Sequence, residues 1–439
     1  MRQILTLLRG SGILLIGQVG SVIAGFLQTI VLTRYLGPSE FGVWALILAY
    51  SGLVHTFLSF RTSEALTAFW VEARINGDKS RCVLIFSNAF LAELVTKTLA
   101  SLFVLGSTGL MLQWSSVEGN YWLAIELCVA GRLMAFYDPI WMSVLRDQRR
   151  LGMLSALPAA TKLLQAVMNL GLFFFLSSDI VWAGVAFCIA QAVALCAKLL
   201  TTFGSLNAIF GSDGYLILEK RILRSFRALP DFWKMMSVGY FTSCLSAIPK
   251  EADTLVVGLV ASEEQAGFYR IAKSLVSLVQ TAVQTLSTLV IQDFSEMKTA
   301  SGKDEIRGFV RSYAPLVLFF TTLVCVAGFV AAPFFIKLLY GTSFVSTTLF
   351  FRVLLIGTGF ATAFFWVMPL LVVLRQLRQL LFLQIGNFVI YCVTLGFSIA
   401  IFKEMGPAIA LSVAWITGHL GALYYVRRAL RRDALENAA

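Results

Sequence analysis

Twelve windows of about 20 mostly apolar residues constrain this chain more than any other feature, because each is long enough to cross a bilayer. They lie near 12–32, 41–60, 83–112, 121–145, 152–176, 181–205, 235–259, 267–291, 313–331, 347–374, 380–402 and 407–426. Hydrocarbon offers no partner to a backbone N–H or C=O, so windows of this kind must be helices that satisfy their own backbone. Composition agrees: 58% of 439 residues are hydrophobic and only 13% are charged, about half the charge of a soluble domain. The first window is too long for a signal-peptide core and lacks a small-residue cleavage site, so it is expected to remain as a membrane helix.

Lysine and arginine test this assignment. Twelve spans put both termini on one side, and the loops and termini of that side carry 23 of the 35 cations, in groups such as Arg146, Arg149 and Arg150 or Arg427, Arg428, Arg431 and Arg432. The opposite loops carry three, Arg34, Lys337 and Lys403. The positive-inside rule then places both termini in the cytoplasm. It also accounts for the net charge of +11 without nucleic acid.

The chain repeats itself. Residues 28–44, QTIVLTRYLGPSEFGVW, overlay residues 253–269, DTLVVGLVASEEQAGFY, at an offset of 225 with no gap, pairing Thr29 with Thr254, Gly42 with Gly267 and Trp44 with Tyr269. The predicted fold is an all-α integral membrane protein of two six-helix lobes. Each lobe has an even number of spans, so the lobes point the same way and are related by a pseudo-two-fold along the membrane normal. The expected divisions are an N-terminal lobe over 1–213, a cytoplasmic amphipathic linker over 214–231, a C-terminal lobe over 232–426 and a basic tail over 427–439. In the linker, Leu218, Ile222 and Phe226 share one helical face and Lys220, Arg221 and Arg224 lie largely on the other, as in a helix on an anionic membrane surface.

Nine cations fall within or at the edges of spans: Arg61, Lys97, Arg132, Lys162, Lys198, Lys250, Arg270, Lys273 and Arg352. Each costs about 2.5–3.5 kcal/mol at mid-membrane, which favours placement in a bundle interior or a wet cavity. Lys97 follows Glu93 by one turn, and Arg61 and Glu64 are similarly spaced, so both are expected to pair locally. Lys162 and Lys198 are equally compatible with snorkelling to an interface. The seventh span is broken at Pro249 and followed by Lys250, Glu251 and Asp253, a pattern that marks transport sites and here offers candidate ion-coupling groups. Mutual neutralisation of Lys250 and Asp253 is the alternative. Arg270 and Lys273 share a face of the eighth span with Ser274 and Ser277 and have no carboxylate one turn away, which suits an anion. Arg132, a candidate substrate-binding residue, and Asp138, a candidate ion-coupling group, make with Pro139 a further polar place on the fourth span.

Enzyme signatures are missing. There is no phosphate-binding GxxxxGK[ST] loop, GxSxG or HExxH, and the two histidines, His55 and His419, stand alone in apolar runs and read as packed helix residues. The seven cysteines show no metal or disulfide spacing. Neither an enzyme activity nor a cofactor is expected.

LTRYLGPSEFG at 32–42, DTLVVGLVASEEQAGFYRIA at 253–272 and LLYGTSFVSTT at 338–348 resemble the signatures of bacterial Wzx-type oligosaccharide-lipid flippases and polysaccharide exporters. These are relatives of multidrug and toxin extrusion (MATE) transporters and of the peptidoglycan lipid flippase. The resemblance implies two lobes facing a central cavity. It also implies a saccharide on a polyprenyl pyrophosphate carrier, turned to the outer leaflet of the bacterial inner membrane by alternating access, for O-antigen, capsule or exopolysaccharide. Arg61, Arg270 and Lys273 would be counterparts of the family's basic cavity residues. Partners would be the lipid-linked oligosaccharide, membrane lipids, a polysaccharide polymerase and glycosyltransferases. Two rival functions stay open: a cation-coupled multidrug exporter, although the first span lacks the carboxylate such relatives tend to carry, and a non-transporting scaffold of a synthesis complex. A major-facilitator carrier is disfavoured, since the loop WVEARINGDKSRC lacks that group's GxxxDRxGRR-like pattern.

Overall fold

A computed structural model describes residues 2–60, 62–114, 121–210, 229–247, 251–300, 303–374 and 376–436, and among them it is helical, with no strand. The amphipathic linker predicted before the seventh span, and Arg61, Pro249 and Lys250, lie outside the described residues. The chain divides into two compact units, 1–255 and 256–439. This division falls after the first half of the seventh span, because that segment packs with the residues before it.

The first unit contains α1 (Arg2–Leu58), α2 (Thr62–Ile75), α3 (Lys79–Trp114), α4 (Trp122–Met134), α5 (Asp138–Asp147), α6 (Leu151–Phe175), α7 (Ile180–Phe210) and α8 (Pro230–Ala247). The short α9 (Asp253–Val260) carries the chain into the second unit. There follow α10 (Glu263–Ala300), α11 (Lys303–Tyr340), α12 (Thr347–Ala363), α13 (Val367–Val373), α14 (Leu377–Phe402) and α15 (Gly406–Glu436).

At 57 residues α1 is far too long for one crossing. It is broken at Gly37, whose φ of 75° and ψ of −179° no ordinary L-residue adopts without strain, and Pro38 then opens the second helix, where its missing N–H costs nothing. The repeat places Ser262 at the equivalent position, between α9 and α10. There the turn is made differently: Ser262 Oγ accepts the Gln265 amide at 3.3 Å, an N-cap. One supersecondary turn is thus built twice from different side chains.

Among the described residues, seven helical stretches are long and apolar enough to cross a membrane. Two of them, Gly17–Leu58 and Arg378–Leu430, each hold two expected spans, so seven stretches cover nine of the twelve. The other three are the fourth, seventh and eighth. The fourth is divided into α4 and α5 by a 3-10 turn at Ala135–Tyr137, the seventh holds residues 248–250, which lie outside the described residues, and the eighth, in α10, carries Arg270 and Lys273. Pro139 and Pro369 sit in the first turns of α5 and α13, where proline starts a helix rather than kinking one.

In the first unit Trp70, Phe86, Tyr137, Trp141, Phe232 and Met236, from α2, α3, α5 and α8 and the 3-10 turn, form a closed core. Asp147 ties its edge, accepting from Trp70 Nε1 at 3.1 Å and pairing with Arg74 at 2.7 Å. The second unit has its own core around Phe294, Trp366, Leu370 and Val426. Outside these cores, α11 presents Phe319, Phe320, Phe334 and Phe335 on its surface, as expected of a helix solvated by lipid tails.

Candidate functional site

The first unit gathers charge inside its helices. Gly52 on α1 leaves room for the Arg132 side chain from α4; a Cβ there would lie 3.1 Å from Nη2. Arg132 donates from Nε to Ser51 Oγ at 2.9 Å and from Nη2 to the Leu48 carbonyl at 2.8 Å. Both contacts fix the guanidinium against α1. Nη1 has no hydrogen-bond acceptor among the described residues. One turn along α1, His55 is 3% exposed. Its Nδ1 donates to the Ser51 carbonyl at 2.8 Å, which leaves Nε2 to accept from Ser101 Oγ of α3 at 3.4 Å.

α3 contributes Glu93 and Lys97. Glu93 is completely buried, and among the described residues no hydroxyl or amide closes a well-formed hydrogen bond on its carboxylate, although Ser59 and Thr62 stand beside it. The neighbouring Ser59 and Thr62 hydroxyls instead donate to the Phe60 carbonyl, at 3.4 and 3.5 Å. The local pair expected between Glu93 and Lys97 does not close as a salt bridge. Lys97 lies within electrostatic reach of Glu93, Arg132 and Asp138 together.

Lys198 of α7 does not snorkel. It reaches inward to Asp138, Nζ to Oδ1 at 2.5 Å, and lies 6.0 Å from the Trp141 ring centroid. Asp138, a candidate ion-coupling group, is therefore held in an ion pair. The cluster holds three cations, Lys97, Arg132 and Lys198, and two carboxylates, Glu93 and Asp138. It is net positive, and Arg132 Nη1 and Lys97 Nζ are donors without an acceptor among the described residues. Such a site attracts an anion.

In the second unit Arg270 and Lys273 are half-buried on α10, with Lys273 Nζ 5.9 Å from the Tyr269 ring centroid. Ser277 Oγ donates to the Ser274 carbonyl at 2.7 Å, so this hydroxyl serves the helix. Asp253, at the end of the first unit, is fully buried. Its Oδ1 accepts the Thr254 amide at 2.7 Å. Glu251 is half-buried just before it.

Of the predicted site residues, the structure brings Arg132 and Asp138 into one cluster and adds His55, Glu93, Lys97 and Lys198. The sequence signal for these four was a polar residue within an apolar run. What it lacked was the partner, since α1, α3, α4, α5 and α7 meet only in three dimensions.

Helices that turn at matching places, at Gly37 and at Ser262, mark a doubled, all-helical, multi-pass membrane fold of the MATE type. The fold is shared with an inward-facing multidrug resistance MATE family transporter of the MOP superfamily, with a TM-score of 0.76 at 11% identity, covering 95% of this chain and 96% of that one. Lipid II flippase MurJ, in an inward closed conformation, aligns with a TM-score of 0.74 at 14% identity over 96% of this chain and 89% of its own. The Vibrio cholerae MATE transporter VcmN in its bent form gives a TM-score of 0.57 at 15% identity, covering 97% and 98%. No curated protein matches by sequence. Residues 7–292 match the polysaccharide biosynthesis protein family, and the chain belongs to that family.

Proposed function

We propose that this protein is a flippase that turns a polyprenyl-pyrophosphate-linked saccharide from the inner to the outer leaflet of a bacterial inner membrane, by alternating access. It would do so with both termini in the cytoplasm and without enzymatic chemistry. The observation that carries this reading is the net-positive cluster of the first unit, where Arg132 Nη1 and Lys97 Nζ lie among apolar helices without acceptors among the described residues. A pyrophosphate must cross hydrocarbon with its charge compensated, whereas its lipid tail need never leave the bilayer. Arg132 is anchored by two hydrogen bonds, so its remaining N–H groups are pre-organised for a phosphate oxygen. Arg270 and Lys273 are proposed as a second set of headgroup ligands, together with Arg61 and Lys250. Asp253, Glu251 and Asp138 are proposed as groups through which an ion gradient acts.

The test is the leaflet location of the lipid-linked saccharide in cells with and without the protein, reported by periplasmic glycan-modifying enzymes. Accumulation on the cytoplasmic side in its absence is expected, with loss of surface polysaccharide in Arg270→Ala and Lys273→Ala variants that still insert. Normal exposure would overturn the reading. If deletion then sensitises cells to cationic dyes, multidrug export replaces it. If neither changes but the polysaccharide synthesis complex falls apart, the protein is a scaffold.

A further inference from the structure

Arg352 lies outside every site described so far. It sits five residues into α12 and leans on α11. Nε donates to the Phe329 carbonyl at 3.1 Å and the guanidinium lies 4.6 Å from the Phe329 ring centroid. Among the described residues no carboxylate pairs with it, and neither Nη group donates to anything. Below it, α11 and α12 part to form an apolar cleft of about 290 Å³, lined by Leu318, Cys325 and Phe329 on one side and Leu355, Gly359 and Ala363 on the other. The cleft faces outward, since Leu318, Val326 and Phe329 of α11 and Ile356 of α12 are exposed.

A guanidinium on the rim of a lipid-facing cleft has a restricted choice of acceptors. In a bilayer the anions within reach are lipid phosphates, and Arg is suited to hold one through two parallel N–H groups. The five residues from Thr347 to Arg352 correspond to about 7–8 Å along the helix, a depth to which a phosphate can be drawn by local thinning. Leu318 and Phe329 are eleven residues apart, about 16 Å, close to half of the roughly 30 Å hydrocarbon core. That length suits a single acyl chain of one leaflet. A polyprenyl carrier is several times longer and would leave most of itself outside the cleft.

We infer that Arg352 and the α11–α12 cleft form a binding site for a membrane phospholipid, with the phosphate on Nη1 and Nη2 of Arg352 and one acyl chain in the cleft. By the positive-inside count, the α11–α12 turn faces the outer leaflet, so the lipid is drawn from there. The site is independent of the proposed transport function.

Native mass spectrometry of the full-length protein in mild detergent, titrated with phosphatidylglycerol, tests this. Wild type is expected to retain one lipid, with Arg352→Ala and Thr322→Trp each weakening binding at least tenfold and Arg352→Lys giving an intermediate loss. Thr322 lines the cleft and is exposed, so the tryptophan fills the cleft without entering a core. Polyprenyl phosphate is expected to displace the phospholipid only at tenfold or greater excess. Unchanged binding in Arg352→Ala or in Thr322→Trp overturns the site, and equal displacement by polyprenyl phosphate overturns its assignment to a phospholipid. Should Arg352→Ala fail to elute as folded protein, Arg352→Lys and Thr322→Trp decide, with unchanged affinity in both counting against the site.

Discussion

The ion pair between Lys198 and Asp138 gives the sharpest energetic prediction, because its two ends sit in different surroundings. The Lys198 side chain is 8% exposed and that of Asp138 is 41% exposed, at an N–O distance of 2.5 Å. At an effective dielectric constant of about 20 the gross attraction is roughly 6–7 kcal/mol, most of it offset by desolvation. Breaking a fully buried pair costs about 3–5 kcal/mol, and the exposure of Asp138 lowers that figure. Asp138→Asn leaves a buried ammonium with only the Trp141 ring, worth about 0.5–1 kcal/mol, so a loss of about 2–3 kcal/mol is expected. Lys198→Met removes the charge that burial penalises and leaves a carboxylate already partly solvated, so it should cost only about 1 kcal/mol. The double variant should lie near that same 1 kcal/mol, giving a coupling energy of about 2 kcal/mol. Thermal unfolding in detergent reads this directly. For a unit of 255 residues, Asp138→Asn should lower Tm by roughly 5–10 °C and the second substitution should restore most of it. If the two single losses add in the double variant to within about 0.5 kcal/mol, the pair does not couple and the account of Asp138 given above is wrong.

The remaining predictions address other parts of the molecule. Lys97→Met and Arg132→Gln should each abolish surface polysaccharide while leaving protein abundance within about twofold of wild type; normal export in both removes the first unit's cluster from the transport site. Gly37→Ala and Gly37→Asn should each destabilise by about 1–3 kcal/mol, because φ of 75° with ψ of −179° is a region essentially confined to glycine; Tm values equal to wild type for both would show that the turn is not held in that conformation. Trp70→Phe and Asp147→Asn should each cost about 1–3 kcal/mol and raise proteolysis at the 75–79 turn, since each removes a partner from a largely buried contact; an unchanged cleavage rate would argue against that tie. Asp253→Asn keeps an acceptor for the Thr254 amide, so it should fold normally; a changed dependence of export on pH or membrane potential marks ion coupling, and an unchanged dependence marks a structural role alone.

The repeat around residues 28–44 was legible because it combines a long apolar period with a turn, and both halves of the pattern are local. Gly37 and Ser262 show the limit of that legibility. The alignment places them in register, but only the backbone shows that one turn uses a positive φ and the other a side-chain cap. Lys97 and Lys198 show it more severely. From spacing alone, Glu93 is the nearest partner for Lys97 and an interface is open to Lys198. In the folded protein Glu93 and Lys97 do not close a salt bridge, and Lys198 reaches Asp138, sixty residues away along the chain. A charge in a membrane helix announces that it needs compensation, while the helix that supplies it is set by packing.

The sequence by itself determined the membrane-spanning helical class, the doubling of the fold and the spans that depart from simple hydropathy. Those properties follow from the transfer energies of single side chains and from a bilayer thickness that fixes helix length, so they can be summed along the chain. Tertiary structure alone decided that Arg132 is clamped to α1, that Asp138 belongs to Lys198, and that Arg352 stands at the head of an apolar cleft. Each of these depends on which helices approach within a few ångströms, and in hydrocarbon that choice rests on close packing and polar contacts between faces that no one-dimensional pattern pairs.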